Sequence, residues 1–527
     1  MHEDVLLGGL LEEESNKGTC ISKRESALYR KPSPHKPSPY LISRLRKYEA
    51  MHRKCGPNSS NFDKAVKRFS PEKGAPSMTN YSIEECKYLI WIPSNGLGNR
   101  LVSIVSAFLY ALLTNRVFLI DEPESEDDLL CEPFENTTWL LPPSFPPKIY
   151  FTRFHRNLPN SYGNTIKNMN TSTRDFFINN ASVPPLFYLH QLFDCDDHDM
   201  LFYCDDYQLP LKKTQWLVLR SDEYFAPSLF LMPAYEQELS RLFPKKDKLF
   251  HHLSRYLFHP SNVVWGLVKR YYDAYFSGAN EKIGIQIRDF KTTPMSFKGS
   301  SKRIFSYYFP FFARNKRVNQ QIRDICSVTS MDAYMMDRIV SCLLDQGILP
   351  KPVIRNVPND KYIVSYPNTK PISKAVMVAS LSLSYYDNIS NMYWEQPTEN
   401  GEVIRICQPS HENSQHNEKM THNMKAWAEI YLLSLMDVLI ISPFSTFGYV
   451  AQGLSGKKVW MINSPHVKIP PTEPSCVRAK SPEPCFHSPP YYDCKAKYGV
   501  DPGSRVPYVQ HCEDLKWGIK LVDGDDL

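Results

Sequence analysis

Long apolar runs are scarce in this sequence. No stretch approaches the roughly 20 apolar residues needed to cross a bilayer. The best candidate, residues 101–113, is too short and carries Ser103 and Ser106. The opening MHEDVLLGGLLEEE is acidic and lacks the basic start and long apolar middle of a signal peptide. An excess of one charge is missing too: +6 over 527 residues argues against a nucleic-acid binder. Glycine is sparse, 21 against 42 prolines, so the connections are many and rigid. Close Cys-x-x-Cys pairs are absent, which disfavours structural zinc. No G-x-S-x-G, H-E-x-x-H or kinase motif set occurs. On these absences alone the chain reads as soluble and unaddressed.

What is present points elsewhere. With 42% hydrophobic, 22% charged and 13% aromatic residues, most of the chain has the balance of a folded protein. At roughly 100–200 residues per domain, two to four domains are expected. There are 13 cysteines, and Cys476, Cys485, Cys494 and Cys512 cluster in a segment rich in Pro and Tyr. That segment cannot fold on apolar burial alone, so two bridges are expected among the four, with the pairing open. N-x-S/T acceptors stand at Asn58, Asn80, Asn136, Asn170, Asn180 and Asn388. Together these features favour an oxidising, secretory compartment.

Residues 1–87 read as a leading arm, with a polyproline-type spacer at 31–40 and a short amphipathic helix at 41–52. An α/β lobe is expected over 88–280: strands at 88–92 and 116–121 around a helix at 99–115, a strand at 216–225, and helical sequence at 251–277. The stretch 122–213 shows little periodicity. A second α/β lobe is expected over 281–470, with strands at 283–288, 375–380, 438–442 and 459–462, a helix at 419–436 and another after Ser445. The Cys/Pro-rich segment 471–527 closes the chain. Residues 291–323 are out of character, with eight Lys/Arg and no acid. They could bind a membrane or a polyanion. The favoured reading is a disordered or artefactual insert, because the flanking elements need only a short connection.

Three places could carry chemistry. SNGLGNRL, 94–101, puts Gly96, Gly98, Asn99 and Arg100 between a strand and a helix, where backbone can approach a ligand and helix N–H groups face an anion. A tight βα turn explains it equally well. Arg288 ends the apolar strand GIQIR at the edge where ligands of open α/β sheets gather, and its planar fork suits a diphosphate. Ser445, Thr446, Phe447 and Gly448 again lie between strand and helix, as phosphate ligands or as an N-cap. His422 reads as a cap-region histidine or a nucleotide contact. For acid/base work Asp222 and Glu223 stand at a strand end. The cluster DCDDHDMLFYCDD, 194–206, lacks calcium-loop spacing and reads as a solvated acidic loop.

Taken together, these blocks resemble the plant xyloglucan-type fucosyltransferases, a Golgi glycosyltransferase family. The likeness runs from LLGGLL and YRKPSPHKPSPYLISRLRKYE through ECKYLIWIPSNGLGNR, DEYFAPSLF, FHHLSRYLFHPSNVVWGLVKRYYDAY and EKIGIQIR. It continues in MYWEQPT, MTHNMKAWAEIYLLSL, STFGYVAQGLSG, EPCFHSPPYYDCKAK and HCEDLKWGIKLV. The resemblance implies a GT-B-like pair of Rossmann-type lobes, with GDP-fucose in the cleft and no metal. Fucose would pass with inversion to the 2-hydroxyl of galactose on xyloglucan or arabinogalactan side chains. The lobe at 88–280 would face the acceptor and the lobe at 281–470 the donor. Arg288 would neutralise the departing diphosphate. His422, Ser445, Thr446, Phe447 and Gly448 would hold the nucleotide, faced by Gly96, Gly98, Asn99 and Arg100, and Asp222 would be the carboxylate nearest the acceptor.

The resemblance further implies a lumenal Golgi location behind a type II membrane anchor, for which this sequence offers no stretch, and assembly as a homodimer or within a Golgi enzyme complex. Met424 and Trp427 depart from the family pattern at the helix start assigned to the nucleotide, as does the insert at 291–323. Two function classes stand side by side: an active fucosyltransferase, and a non-catalytic Golgi glycan-binding or scaffold protein that retains the fold.

Overall fold

The computed structural model describes residues 5–12, 19–69, 86–121, 129–159, 161–168, 184–192, 197–288, 331–353, 372–416, 419–463, 473–490, 494 and 500–523. The basic segment at 291–323 and the sequons at Asn80, Asn170 and Asn180 lie outside them.

Ser38 opens the first long helix: its hydroxyl accepts Leu41 N–H at 3.0 Å, with Pro39 in the first turn, and α1 spans Pro39–Cys55. KYLIWI and RVFLI are apolar without alternation, as strands covered on both faces must be. They form β1 (Lys87–Ile92) and β2 (Arg116–Ile120), parallel to each other. Between them runs α2 (Leu97–Thr114), ended by Asn115 in left-handed backbone at φ 52°. Helix α2 is apolar enough to cross a membrane by composition, yet 72% of it is buried inside the protein. It is a core helix.

The lobe's sheet is completed by β3 (Leu186–Gln191) and β4 (Trp216–Ser221), in the parallel order β2-β1-β4-β3. Strand β3 falls in the stretch that lacks periodicity. Its LFYLHQ ends in polar residues although the strand is almost wholly buried, and Tyr188 Oη meets His190 Nδ1 at 2.8 Å. Helices α3 (Leu249–Leu257) and α4 (Asn262–Tyr271) follow, separated at Pro260, which supplies no N–H to continue the first.

The second lobe comprises β5 (Glu281–Ile287), α5 (Met331–Asp345), β6 (Ser373–Ser380), α6 (Leu383–Glu395), β7 (Val403–Cys407), α7 (Met420–Ser434), β8 (Val438–Ile441), α8 (Thr446–Ser455), β9 (Trp460–Ile462) and β10 (Cys476–Arg478). Its sheet order is β10-β9-β8-β5-β6-β7, parallel except for β10, so the sheet continues past residue 470. A short antiparallel pair, β11 (Val509–His511) and β12 (Ile519–Leu521), lies near the C-terminus. One core cluster joins the lobes, including Leu89 and Trp91 of β1, Phe108 of α2, Met377 of β6, Trp427 of α7 and Val450 of α8. Trp427 is fully buried, its ring 6.3 Å from Phe258 and 5.9 Å from Tyr431, so this departure from the family pattern fills core space.

The cysteine expectation is corrected. Cys485 pairs with Cys512, but Cys476 reaches Cys342 and Cys494 reaches Cys204. The C-terminal segment is therefore not stapled to itself as a unit. It is fastened to both lobes, across separations of 134 and 290 residues. Cys20–Cys131 ties the leading arm to the first lobe in the same way, and Cys55–Cys86 closes a loop within the arm just before β1. The acidic-loop expectation holds in part among the described residues: Asp197 and Asp206 are exposed, whereas Asp199, 1% exposed, is buried in a helical turn at Asp197–Met200 whose Asp199 carbonyl accepts Gln191 Nε2 at 2.9 Å.

Buried carboxyls set a pH dependence of stability. Glu483 accepts Phe250 N–H at 2.8 Å and the Tyr224 hydroxyl, and burial pushes it up to about 8 from an ordinary 4.5. Burial likewise lifts Glu429 to about 7. The folded protein keeps protons that the unfolded chain sheds, so this stability is full below pH 4.5 and lost as pH rises towards 8. His52 and His252, depressed by burial to about 4 and about 3, act oppositely, and their contribution is complete above their ordinary 6.5. Between pH 6.5 and 8 the glutamates govern. Unfolding free energies from urea titrations, and the midpoints with them, should fall across that window, the free energy by at most about 1.4 kcal/mol per pH unit per proton, and Glu483→Gln should flatten the slope. A midpoint that rises over this range contradicts the assignment.

Candidate active site

In an open parallel sheet, a crevice forms where successive connections leave in opposite directions. The first sheet has that point between β1 and β4, the second between β5 and β8. The two points meet across α2 and α8.

On the first side, the chain leaves β1 through Asn95, which takes left-handed backbone at φ 60°. Its Nδ2 donates to Asp222 Oδ2 just beyond β4. Asn99 Nδ2 donates to the Asp222 carbonyl at 3.2 Å, and Thr446 Oγ1 of the other lobe donates to Asn99 Oδ1 at 2.9 Å. Asn99 is thus the bolt between lobes. A Cβ on Gly98 would sit 2.7 Å from Phe447 N and from Thr446 Oγ1, so this glycine allows lobe–lobe contact. Gly96 opens α2 in extended backbone, and Arg100 Nε donates to the Asn95 carbonyl at 2.9 Å.

On the second side, Arg288 follows β5, half-buried, its N–H donating to Ser442 Oγ at 2.9 Å beyond β8. Phe444 takes φ 58°, a conformation that costs a non-glycine residue roughly 1–2 kcal/mol. It is held there by Asp514, whose Oδ2 accepts Phe444 N–H at 2.8 Å. Ser445 occupies the N-cap position of α8 but makes no capping bond, and its buried Oγ has no hydrogen-bond partner. The capping alternative therefore does not describe Ser445. Gly448 lies against Gln286, whose Oε1 is also buried without a partner. A helix start with unclaimed N–H groups, an uncommitted hydroxyl and an adjacent arginine is suited to an anionic ligand.

Behind the turn runs a chain of buried polar groups. Tyr449 Oη donates to Asp514 and meets His487 Nε2 at 3.2 Å. His487 N–H donates to Glu223 Oε2 at 3.4 Å, and Ser488 Oγ to Glu223 Oε1 at 3.0 Å. Burial, reinforced by Asp222, holds the Glu223 carboxyl well above the usual range, while burial lowers His487. Sequence reasoning did not single out Asp514, His487 or Ser488. The one signal was their place within EPCFHSPPYYDCKAK and HCEDLKWGIKLV. His422 Nδ1 lies 3.5 Å from Glu412 Oε2, with its ring beside His416. Among the described residues, the one group arranged to hold a metal is Cys485, Cys512 and Asp514, whose two sulfurs are joined in a disulfide.

The chain matches the family model described as xyloglucan fucosyltransferase over residues 1–307 and 301–495. It is 47% identical over 520 residues to a galactoside 2-alpha-L-fucosyltransferase of Pisum sativum, covering 99% of this chain and 82% of that one. A galactoside 2-alpha-L-fucosyltransferase of Arabidopsis thaliana is 46% identical, covering 99% and 84%. An arginine-to-lysine variant of Arabidopsis thaliana FUT1, solved in complex with GDP, superposes with a TM-score of 0.80 at 44% identity, over 98% of this chain and all of that one. The lobes are GT-B-like and the chain is a glycosyltransferase: it belongs to the xyloglucan fucosyltransferase family.

Proposed function

We propose that this chain transfers L-fucose from GDP-fucose to the 2-hydroxyl of a galactose on a cell-wall glycan, with inversion and without a metal. The carrying observation is the meeting of two switch-point crevices, one presenting Arg288 and the start of α8, the other Asp222. The bond from fucose C1 to the β-phosphate oxygen breaks, C1 bonds the galactose oxygen, and the hydroxyl proton leaves. GDP departs with added negative charge. Arg288, Ser445 Oγ and the N–H groups of Phe447 and Gly448 stabilise it as it develops. Asp222, steadied by Asn95, faces the positive sugar and orients the acceptor hydroxyl or takes its proton. The intact constellation favours catalysis over a glycan-binding scaffold. Incubating the protein with GDP-fucose and galactose-terminated xyloglucan or arabinogalactan tests the reading. Release of GDP without fucosylated product from either glycan sinks it.

Because protein groups meet the leaving charge, turnover is expected to survive EDTA. Loss on chelation, restored by Mn²⁺ or Mg²⁺, would transfer that role to carboxylates such as Asp197 and Asp199. Five disulfides among the described residues support a lumenal Golgi setting.

A further inference from the structure

A short helix at the rim of the first lobe has no part in the donor side described above. Pro146–Arg153 is a 3₁₀ helix, entered through Pro146 and Pro147. A run of this length is uncommon for that helix, so it is held from outside. Three residues per turn sort its side chains into three ridges. One ridge faces inward. Phe145 and Phe151 are buried, with Phe145 4.8 Å from Trp216, and Phe154 packs 5.1 Å from Tyr188. Lys148, on the same ridge, meets Asp121 Oδ1 at 3.1 Å. The other two ridges face out: Ile149 is 71% exposed and Tyr150 50%, with exposed Thr152 and Arg153 next along. The outer fastenings lie at the carboxyl edge of the sheet. Asp121 follows β2, and Arg220, near the end of β4, donates Nη1 to the Phe154 carbonyl at 2.9 Å and Nη2 to the Phe151 carbonyl at 2.8 Å. Asp222 stands two residues beyond Arg220.

We propose that this ledge is an acceptor subsite, on which Ile149 and Tyr150 carry sugar rings of the glycan that lie beyond the galactose being fucosylated. The inference rests on the function proposed above, in which Asp222 marks the acceptor side. A β-linked pyranose has flat faces of C–H groups and a rim of hydroxyls. It is matched by an apolar surface with an aromatic ring, bordered by hydrogen-bonding groups. Ile149 and Tyr150 supply the surface, and the Thr152 hydroxyl and Arg153 guanidinium supply the border. The ledge is fixed before the glycan arrives, by two prolines at its start and by Arg220 at its end, so little further ordering is lost on binding. Rings held there contribute equally to the ground state and the transition state, because they take no part in the bond changes. Their effect therefore falls on KM and spares kcat.

A purely structural account explains less. Single apolar side chains at a surface are ordinary, and Leu28 and Val263 are exposed as well. Ile149 and Tyr150 differ in being adjacent, on backbone fastened by buried partners, and at the edge where ligands of open α/β sheets gather. Trp394 is more exposed, at 87%, but lies near the far end of α6, roughly 16 Å along the helix from its start after β6. It faces away from the crevice edge. The inward ridge already accounts for the packing of the segment, and neither outward side chain is needed for it.

The test is acceptor kinetics at saturating GDP-fucose, with GDP affinity measured by titration calorimetry. The acceptor is whichever of galactosylated xyloglucan oligosaccharide and arabinogalactan the wild type fucosylates. Ile149→Ser and Tyr150→Ala should each raise its KM, and together by at least fivefold, with kcat within twofold and GDP affinity unchanged. Tyr150→Phe keeps the ring and should keep KM within twofold of the wild type. An unchanged KM in the double variant overturns the subsite, as does a loss confined to kcat. Tyr150→Phe as impaired as Tyr150→Ala would put the effect on the hydroxyl and overturn the stacking surface. A joint fall in Tm and GDP affinity would give the pair a structural role and count equally against it. A wild type that fucosylates neither glycan removes the proposed function and the subsite with it, whereas an active wild type with indifferent variants removes the subsite alone.

Discussion

Arg288→Ala is expected to lower turnover more than a hundredfold while the protein stays folded. The residue sits just past β5, half-buried, and its backbone N–H secures the strand end to Ser442. Truncation leaves the buried run Ile283, Ile285 and Ile287 untouched. On the proposed reading, what is lost is a charge beside the departing diphosphate, typically about 2.7–4 kcal/mol of barrier. Arg288→Lys should recover little, because an ammonium cannot span two phosphate oxygens as the planar fork does. The loss should fall on kcat and kcat/KM together, the pattern of an interaction gained in the transition state. Near-normal turnover of the Ala variant, with unchanged thermal stability, would remove Arg288 from the clamp.

The elements framing this site were legible for a physical reason. Buried parallel strands such as β1, β2, β5 and β8 are short apolar runs, and the turns after β1 and β8 are marked by glycine or hydroxyl residues before helices. Strand β7 was missed because it is only partly buried and so alternates weakly. Strand β3 was missed because Tyr188, His190 and Gln191 place polar atoms inside the protein. The site turns could be located but not joined. Asn99 and Thr446 bond across 347 residues, and nothing local in either turn announces the other. The support beneath the second turn comes from Asp514 and His487, in a segment whose cysteines suggested a self-contained unit. Cys204–Cys494 and Cys342–Cys476 show why that failed: chain entropy favours near partners only in the unfolded state, and the fold brings distant ones together.

Asp222→Asn is expected to cost turnover on the scale of a lost acid/base group, about 10²–10⁴-fold, with GDP affinity retained. The substitution keeps the shape of the side chain but removes its charge, and the Asn95 amide then faces an amide instead of a carboxylate. Asp222 lies in the first lobe's crevice while Ser445 and Arg288 lie in the second's, so nucleotide binding should be spared. Its neighbour sharpens the test. Glu223, pushed up by burial and by Asp222, carries its proton at moderate pH, so the adjacent pair holds one negative charge instead of two. As pH rises through the elevated value, Glu223 ionises, like charges crowd, and the carboxylate network through Ser488 and His487 changes its charge. Turnover should therefore fall on the alkaline side. Glu223→Gln, which mimics the protonated form, should keep most of the activity and lose that alkaline limb. The roles then separate cleanly. An Asp222→Asn enzyme with near wild-type kcat would end Asp222's part in catalysis, and a Glu223→Gln enzyme as impaired as Asp222→Asn would move the working carboxylate one residue along the turn.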